Sequence, residues 1–187
     1  KKLALTMLYV THDQTEAMSM ADSIILLNDG HIEQHGTPND LYNNPATIFA
    51  AQFIGAPPMN ILPLHAKGEQ HYLSHLQTPV VERCDEVALS LGLRAEDIQL
   101  ISADNAALTA RVISYEYMGS DTLLACQLAG LSELVTVKVP GMQRYDEGSL
   151  VGLQWSAARQ YLFSSTSGKR CASAEQQMFS SQKKYAV

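Results

Sequence analysis

The stretch Leu8-Tyr9-Val10-Thr11-His12-Asp13-Gln14-Thr15-Glu16-Ala17 passes from an apolar run to a histidine and then at once into a helix-start signal. Residues 3–10 are rich in Leu, Met, Tyr and Val and nearly free of charge, the composition of a strand buried on both faces of a parallel sheet. Asp13 with Glu16 three residues later forms a capping-box-like start, in which each carboxylate accepts from an unpaired amide of the first turn. His12 is thereby predicted just past the carboxyl end of a buried strand, the edge where open α/β sheets bind ligands. An imidazole there can donate to a phosphate or a water. The plainer reading is a histidine that merely ends a strand.

Outward from that stretch, alternation of strand and helix continues. The pattern predicts a helix over 14–21, a buried strand over 23–27, a hairpin turn at Asn28-Asp29-Gly30 and a return strand over 31–34. Thr37 is predicted to cap a short helix reaching Tyr42, with Pro38 at its first position, where the missing amide costs nothing. Residues 46–54 read as a packed helix ended by Gly55. Ala56-Pro57-Pro58 reads as a stiff extended connector and a domain boundary.

Beyond it the pattern turns to short strands, over 87–93, 108–117, 122–128, 134–139 and 150–155. Gly119-Ser120, Ala129-Gly130, Pro140-Gly141 and Glu147-Gly148 punctuate them, which argues for a small barrel or sandwich. The expected organisation is 1–55, linker 56–60, an all-β domain over 61–170 and a mobile tail over 171–187, with a weak amphipathic helix signal over 172–179.

The His12 segment, with Met18-Ser19-Met20-Ala21-Asp22 after it, resembles the switch-histidine region of ABC-transporter ATPases. The resemblance continues through Ile24-Ile25-Leu26-Leu27-Asn28-Asp29-Gly30-His31-Ile32, Gly36-Thr37-Pro38, Phe53-Ile54-Gly55 and Met59-Asn60-Ile61-Leu62. Gly92-Leu93-Arg94-Ala95-Glu96-Asp97-Ile98 is similar to a Gly-x-Arg-Pro-Glu segment of that family's regulatory domain, with Ala95 in place of Pro. Tyr117-Met118-Gly119-Ser120-Asp121 and residues 163–170 look like later landmarks of the same domain.

The resemblance implies the α/β end of an ABC nucleotide-binding domain followed by an OB-like, TOBE-type regulatory barrel, in an importer of the maltose or glycerol-3-phosphate type. It implies that His12 contacts the γ-phosphate of ATP and helps order the attacking water. It further implies ATP and Mg²⁺ in the full-length protein, membrane-spanning permease partners, a homodimer, a regulatory protein in some members, and a place on the cytoplasmic face of the inner membrane.

The sequence lacks G-x-x-x-x-G-K-[ST], the backbone cradle and lysine that phosphoryl transfer of this class requires. Gly168-Lys169 is followed by Arg170 and has no upstream glycine at the required spacing. The Leu-Ser-Gly-Gly-Gln signature and the acidic Mg²⁺ motif are missing too. The chain is therefore expected to be a C-terminal portion of a longer protein and inactive alone. A non-catalytic regulatory or interaction module is the alternative.

Composition narrows the classes. A formal charge of −6 offers no broad basic face, so nucleic acid is not expected as a partner. Tyr115, Tyr117 and Trp155 read as core rather than as a base-stacking platform. No apolar run approaches the roughly 20 residues needed to span a bilayer. Cys84, Cys126 and Cys171 are far apart and suit a reducing compartment. His31 with His35, and His71 with His75, have a metal-like i, i+4 spacing, but neither pair lies in a predicted helix; surface histidines are expected, and no metal.

Overall fold

The computed structural model describes residues 6–73, 76–77, 79–84, 88–171 and 175–176. Its first part holds three short helices, α1 (Gln14–Met20), α2 (Pro38–Asn43) and α3 (Ile48–Phe53), around the hairpin of β1 (Ile24–Asn28) and β2 (His31–Gly36). Local chemistry accounts for each boundary. Asp13 caps α1 by accepting from the Thr15 and Glu16 amides. Thr37 and Asp40 form a reciprocal capping box on α2 with Pro38 in the first turn. Thr47 caps α3 through the Ala50 amide. Asp29 (φ 48°) and Gly30 (φ 77°) both take the left-handed conformation, the signature of a type I′ hairpin turn. Ile24, Leu26, Leu41, Ala50 and Ile54 form the small core of this part.

The rest is β structure in two antiparallel sheets. One runs β12 (Tyr161–Ser164), β6 (Leu89–Leu93), β3 (Asn60–Lys67), β4 (Gln70–Leu73), β5 (Val81–Arg83), β13 (Glu175–Gln176). The other runs β10 (Leu134–Pro140), β9 (Asp121–Leu128), β8 (Leu108–Tyr117), β11 (Leu150–Gln154), β7 (Gln99–Ile101). One continuous hydrophobic core, including Leu64, Leu91, Leu93, Val112, Leu124, Val137 and Trp155, fills the space between them. Two antiparallel sheets around one core make the expected OB-like barrel.

Asn60 joins the two sheets. Its side-chain amide donates to the Thr136 carbonyl at 2.8 Å and the Leu93 carbonyl at 3.2 Å, while its Oδ1 accepts from the Thr136 amide at 2.7 Å. The side chain thus acts as an extra peptide group between β3 and β10. Asn60→Leu would leave the Thr136 amide and carbonyl unpaired in a part-buried seam, where a fully buried orphaned group would cost about 1–3 kcal/mol. Urea unfolding should show a loss of about 2–4 kcal/mol; an unchanged midpoint would remove Asn60 from this role.

Several sequence expectations are corrected. Residues 6–10 form no strand, and Leu8 and Val10 are 89% and 87% exposed. A strand exists only by pairing, and among the described residues none lies beside this segment. β1 is buried on one face only, because its partner is a two-stranded hairpin: Ile24 and Leu26 point inward while Ile25 and Leu27 are exposed. The connector is bent through 54–57 rather than extended, with a cis Ala56–Pro57 bond, and Ile54 and Met59 on either side of it are buried.

His71 is 1% exposed rather than on the surface, since it alternates inward with Leu73 along β4. His75 lies outside the described residues. Of the tail, β13 is described and pairs with β5, so residues 175–176 are strand, not helix; the expected mobility of the remainder falls on residues outside the description. β3, β4, β5, β7 and β12 were not legible in sequence. Pro63 interrupts β3, and the other four are no longer than four residues.

Candidate functional site

His12 sits on the turn immediately ahead of α1, with its residue exposed to solvent. The turn is organised by its neighbours. The Asp13 amide donates to Thr11 Oγ1 at 3.0 Å, and Thr11 Oγ1 donates in turn to Glu16 Oε2 at 2.8 Å. The Tyr9 hydroxyl donates to the same Glu16 oxygen at 3.2 Å. Glu16 therefore does not close a reciprocal capping box with the Asp13 amide, as the sequence suggested; Thr11 takes that amide and hands its own proton to Glu16. Asp13 alone performs the capping.

The Asp13 carboxyl is held below its ordinary value by the Glu16 and Thr15 amides, and that of Asp40 by the Thr37 hydroxyl and amide. A carboxylate whose folded pKa is depressed contributes stability above its unfolded pKa and loses it as pH falls through the lower folded value. Fraying of α1 and α2 is therefore expected to begin as pH falls below the ordinary carboxylate range, about pH 4, and to complete only below the depressed folded values. Amide exchange at Thr15 and Glu16 reports it. Asp13→Asn, an equally good cap without a titrating group, should abolish the acid dependence at α1. Acid fraying of α1 that persists in the Asn variant would assign it elsewhere.

Two tethers fix α1 and α3 against the rest. Gln14, the first residue of α1, accepts at Oε1 from the Gly55 amide at 2.7 Å, just past α3. From the barrel, Arg94 enters the same corner and is 1% exposed. Its Nη1 donates to the Ala51 carbonyl at 2.9 Å and the Ile54 carbonyl at 2.5 Å, its Nη2 donates to the Tyr42 carbonyl at 2.8 Å, and the guanidinium stacks over the Tyr42 ring at 4.2 Å. These are the unpaired carbonyls at the ends of α2 and α3, neither of which has a basic residue in its own last turn.

The Tyr42 hydroxyl donates to Glu96, and burial first, then that bond, pushes the phenol well above its usual range. A second seam joins residues 168–170 to the start of α3 by Ile48 N–H to Gly168 C=O and Arg170 N–H to Ala46 C=O, each 2.8 Å. Arg170 stacks on Tyr161 at 4.6 Å.

The remaining candidates do not converge on His12. His31 and His35 lie four residues apart on β2, and His35 Nε2 is 2.8 Å from Ser23 Oγ. Among the described residues no three His, Cys, Asp or Glu gather as a metal site. Trp155 is in the barrel core as expected, but Tyr117 is 44% exposed rather than core, and the partly buried Tyr115 meets Tyr117 and Tyr145 edge-on rather than as an open stack. Burial pushes the Cys126 thiol up to about 11. Among the described residues no helix is long and apolar enough to cross a membrane.

Sequence reasoning named Arg94 only as a landmark and missed the link through Gln14. The available signals were Gly55 after α3 and the lack of any cation at either helix end.

Within the barrel, residues 91–163 match the family model of the TOBE domain. Over most of its length the chain is similar to ATP-binding subunits of ABC importers. It is 38% identical over 167 residues to the alpha-glucoside transport ATP-binding protein AglK of Rhizobium meliloti (strain 1021), covering 84% of this chain and 46% of that protein. It is 36% identical over 172 residues to the sn-glycerol-3-phosphate import ATP-binding protein UgpC of Ruegeria pomeroyi, covering 92% and 48%. The UgpC of Jannaschia sp. (strain CCS1) is 39% identical, covering 91% and 48%. The chain spans about half the length of the curated relatives it matches.

Proposed function

We propose that this chain is the C-terminal part of the ATP-hydrolysing subunit of an ABC importer, carrying a sugar or a glycerol phosphate. Residues 1–55 end the nucleotide-binding domain, 56–60 link it to the regulatory barrel of 61–170, and 171–187 form a tail. The observation that carries the reading is His12: an exposed imidazole on a braced turn between an apolar segment and a capped helix, within a chain related along its length to ATP-binding subunits.

His12 is the one group of this chain assigned to the substrate. Its share is a hydrogen bond to a γ-phosphoryl oxygen of ATP, strengthening as charge develops there, and orientation of the attacking water. Thr11, Asp13 and Glu16 hold the turn. The phosphate cradle and the Mg²⁺ ligands are not among these residues, so ATP and Mg²⁺ belong to the full-length protein and bind weakly, if at all, to this chain alone. The exposed apolar residues Leu8, Val10, Ile25, Leu27 and Ile32 support the same reading, since they offer a face for the remainder of an α/β domain to cover.

The partners are permease subunits at the cytoplasmic face of the inner membrane, a second copy of the subunit, and a regulatory protein; nucleic acid is not one. The test begins with the coding region upstream of Lys1. An in-frame P-loop and signature motif, with ATP hydrolysis by the encoded protein and none by residues 1–187, is the expected result. A start codon adjacent to Lys1 would instead favour a non-catalytic interaction module.

A further inference from the structure

The hydrogen bond between Gln14 and Gly55 joins residues 41 apart in sequence, and it lies two residues from His12. Gln14 opens α1, and its backbone follows directly on the Asp13 cap. Whatever holds Gln14 therefore holds the point from which the His12 turn departs. The seat is a rigid one. Gly55 has φ +117°, a conformation that L side chains rarely adopt, and a Cβ there would come within 2.7 Å of Arg94 Nη1. The residue before it, Ile54, is buried and has its carbonyl gripped by Arg94 at 2.5 Å.

The peptide between Ile54 and Gly55 is thus held from both sides: its carbonyl by the barrel's arginine, its amide by the glutamine of α1. An amide and carbonyl of one peptide group move together because the unit is planar. A shift of the barrel relative to α3 is consequently transmitted to Gln14 through one stiff element, with no intervening flexible side chain on the α3 side.

We propose that Gln14 is a positioning residue for His12, seated on the Ile54–Gly55 peptide that the barrel's Arg94 fixes from the opposite side. This rests on the reading of His12 as the residue facing the terminal phosphate. Gln14 itself touches no substrate in this arrangement.

The test uses Gln14→Leu, which removes the acceptor, and Gln14→Glu, which keeps it. In residues 1–187, Gln14→Leu should raise amide exchange at Gly55 about tenfold and shift the His12 ring resonances, with Gln14→Glu close to the parent on the Gly55 amide. In the full-length protein, Gln14→Leu should lower kcat for ATP about 5- to 20-fold with KM within twofold, and Gln14→Glu should restore most of it. Combined with His12→Ala, Gln14→Leu should add nothing, because its effect passes through the imidazole.

Multiplicative losses in the double variant, or parent-level kcat and Gly55 exchange in Gln14→Leu while His12→Ala is impaired, would overturn the positioning role and leave the functional reading standing. Parent-level kcat in His12→Ala would remove both.

Discussion

Arg94→Met should lower stability by about 3–5 kcal/mol, as much as truncating a large core side chain. Three carbonyls, of Tyr42, Ala51 and Ile54, depend on one guanidinium. Hydrogen bonds to charged groups contribute about 1.5–3 kcal/mol each, and carbonyls left buried without a donor cost comparable amounts, though losses in one network do not add fully. The cation–π contact with Tyr42 is lost as well. Methionine fills much of the volume but brings no donor.

For a chain of this length, such a loss lowers the melting temperature by about 6–20 °C. Arg94→Lys should recover only part of it, since one ammonium cannot reproduce a planar fork serving two helix ends. Gly55→Ala should act in the same direction, by forcing a Cβ into the space of Arg94 Nη1 and a left-handed φ onto alanine. A melting temperature for Arg94→Met within about 2 °C of the parent would show that the helix ends find other donors.

His12→Ala should have the opposite profile: almost no effect on folding and a large one on turnover. The residue is exposed, so deleting the ring from the folded protein creates no cavity. In the full-length protein, removal of one donor aimed at developing phosphoryl charge should reduce kcat by about 10²–10³-fold. ATP affinity should change little, because the contact strengthens mainly as the transition state forms. Steady-state ATPase kinetics with an independent nucleotide-binding titration separates the two. Unchanged turnover would end the catalytic assignment, and a proportionate rise in KM at constant kcat would recast His12 as a ground-state binding group.

The contrast between these two residues mirrors what could be read in advance. His12 stood out because the order of residues around it is local: apolar run, histidine, capping acid, helix. Arg94 was named within a landmark segment, yet its work depends on carbonyls 40–52 positions earlier in the chain, which no spacing rule connects to it. The reciprocal capping box expected of Asp13 and Glu16 fails for a related reason. Thr11 competes for the Asp13 amide, and Glu16 turns to Thr11 and Tyr9.

Where neighbouring residues alone decide a conformation, sequence was sufficient. The Asp29-Gly30 turn, the Thr37-Pro38 and Asp13 caps and the longer alternating strands follow from backbone sterics, unpaired terminal amides and side-chain period. Tertiary structure decided the rest: that Asn60 stitches two sheets and that Arg94 closes two helices at once. Each of these is a pairing between distant groups, and a pairing has no energy until the fold has brought both partners to the same place.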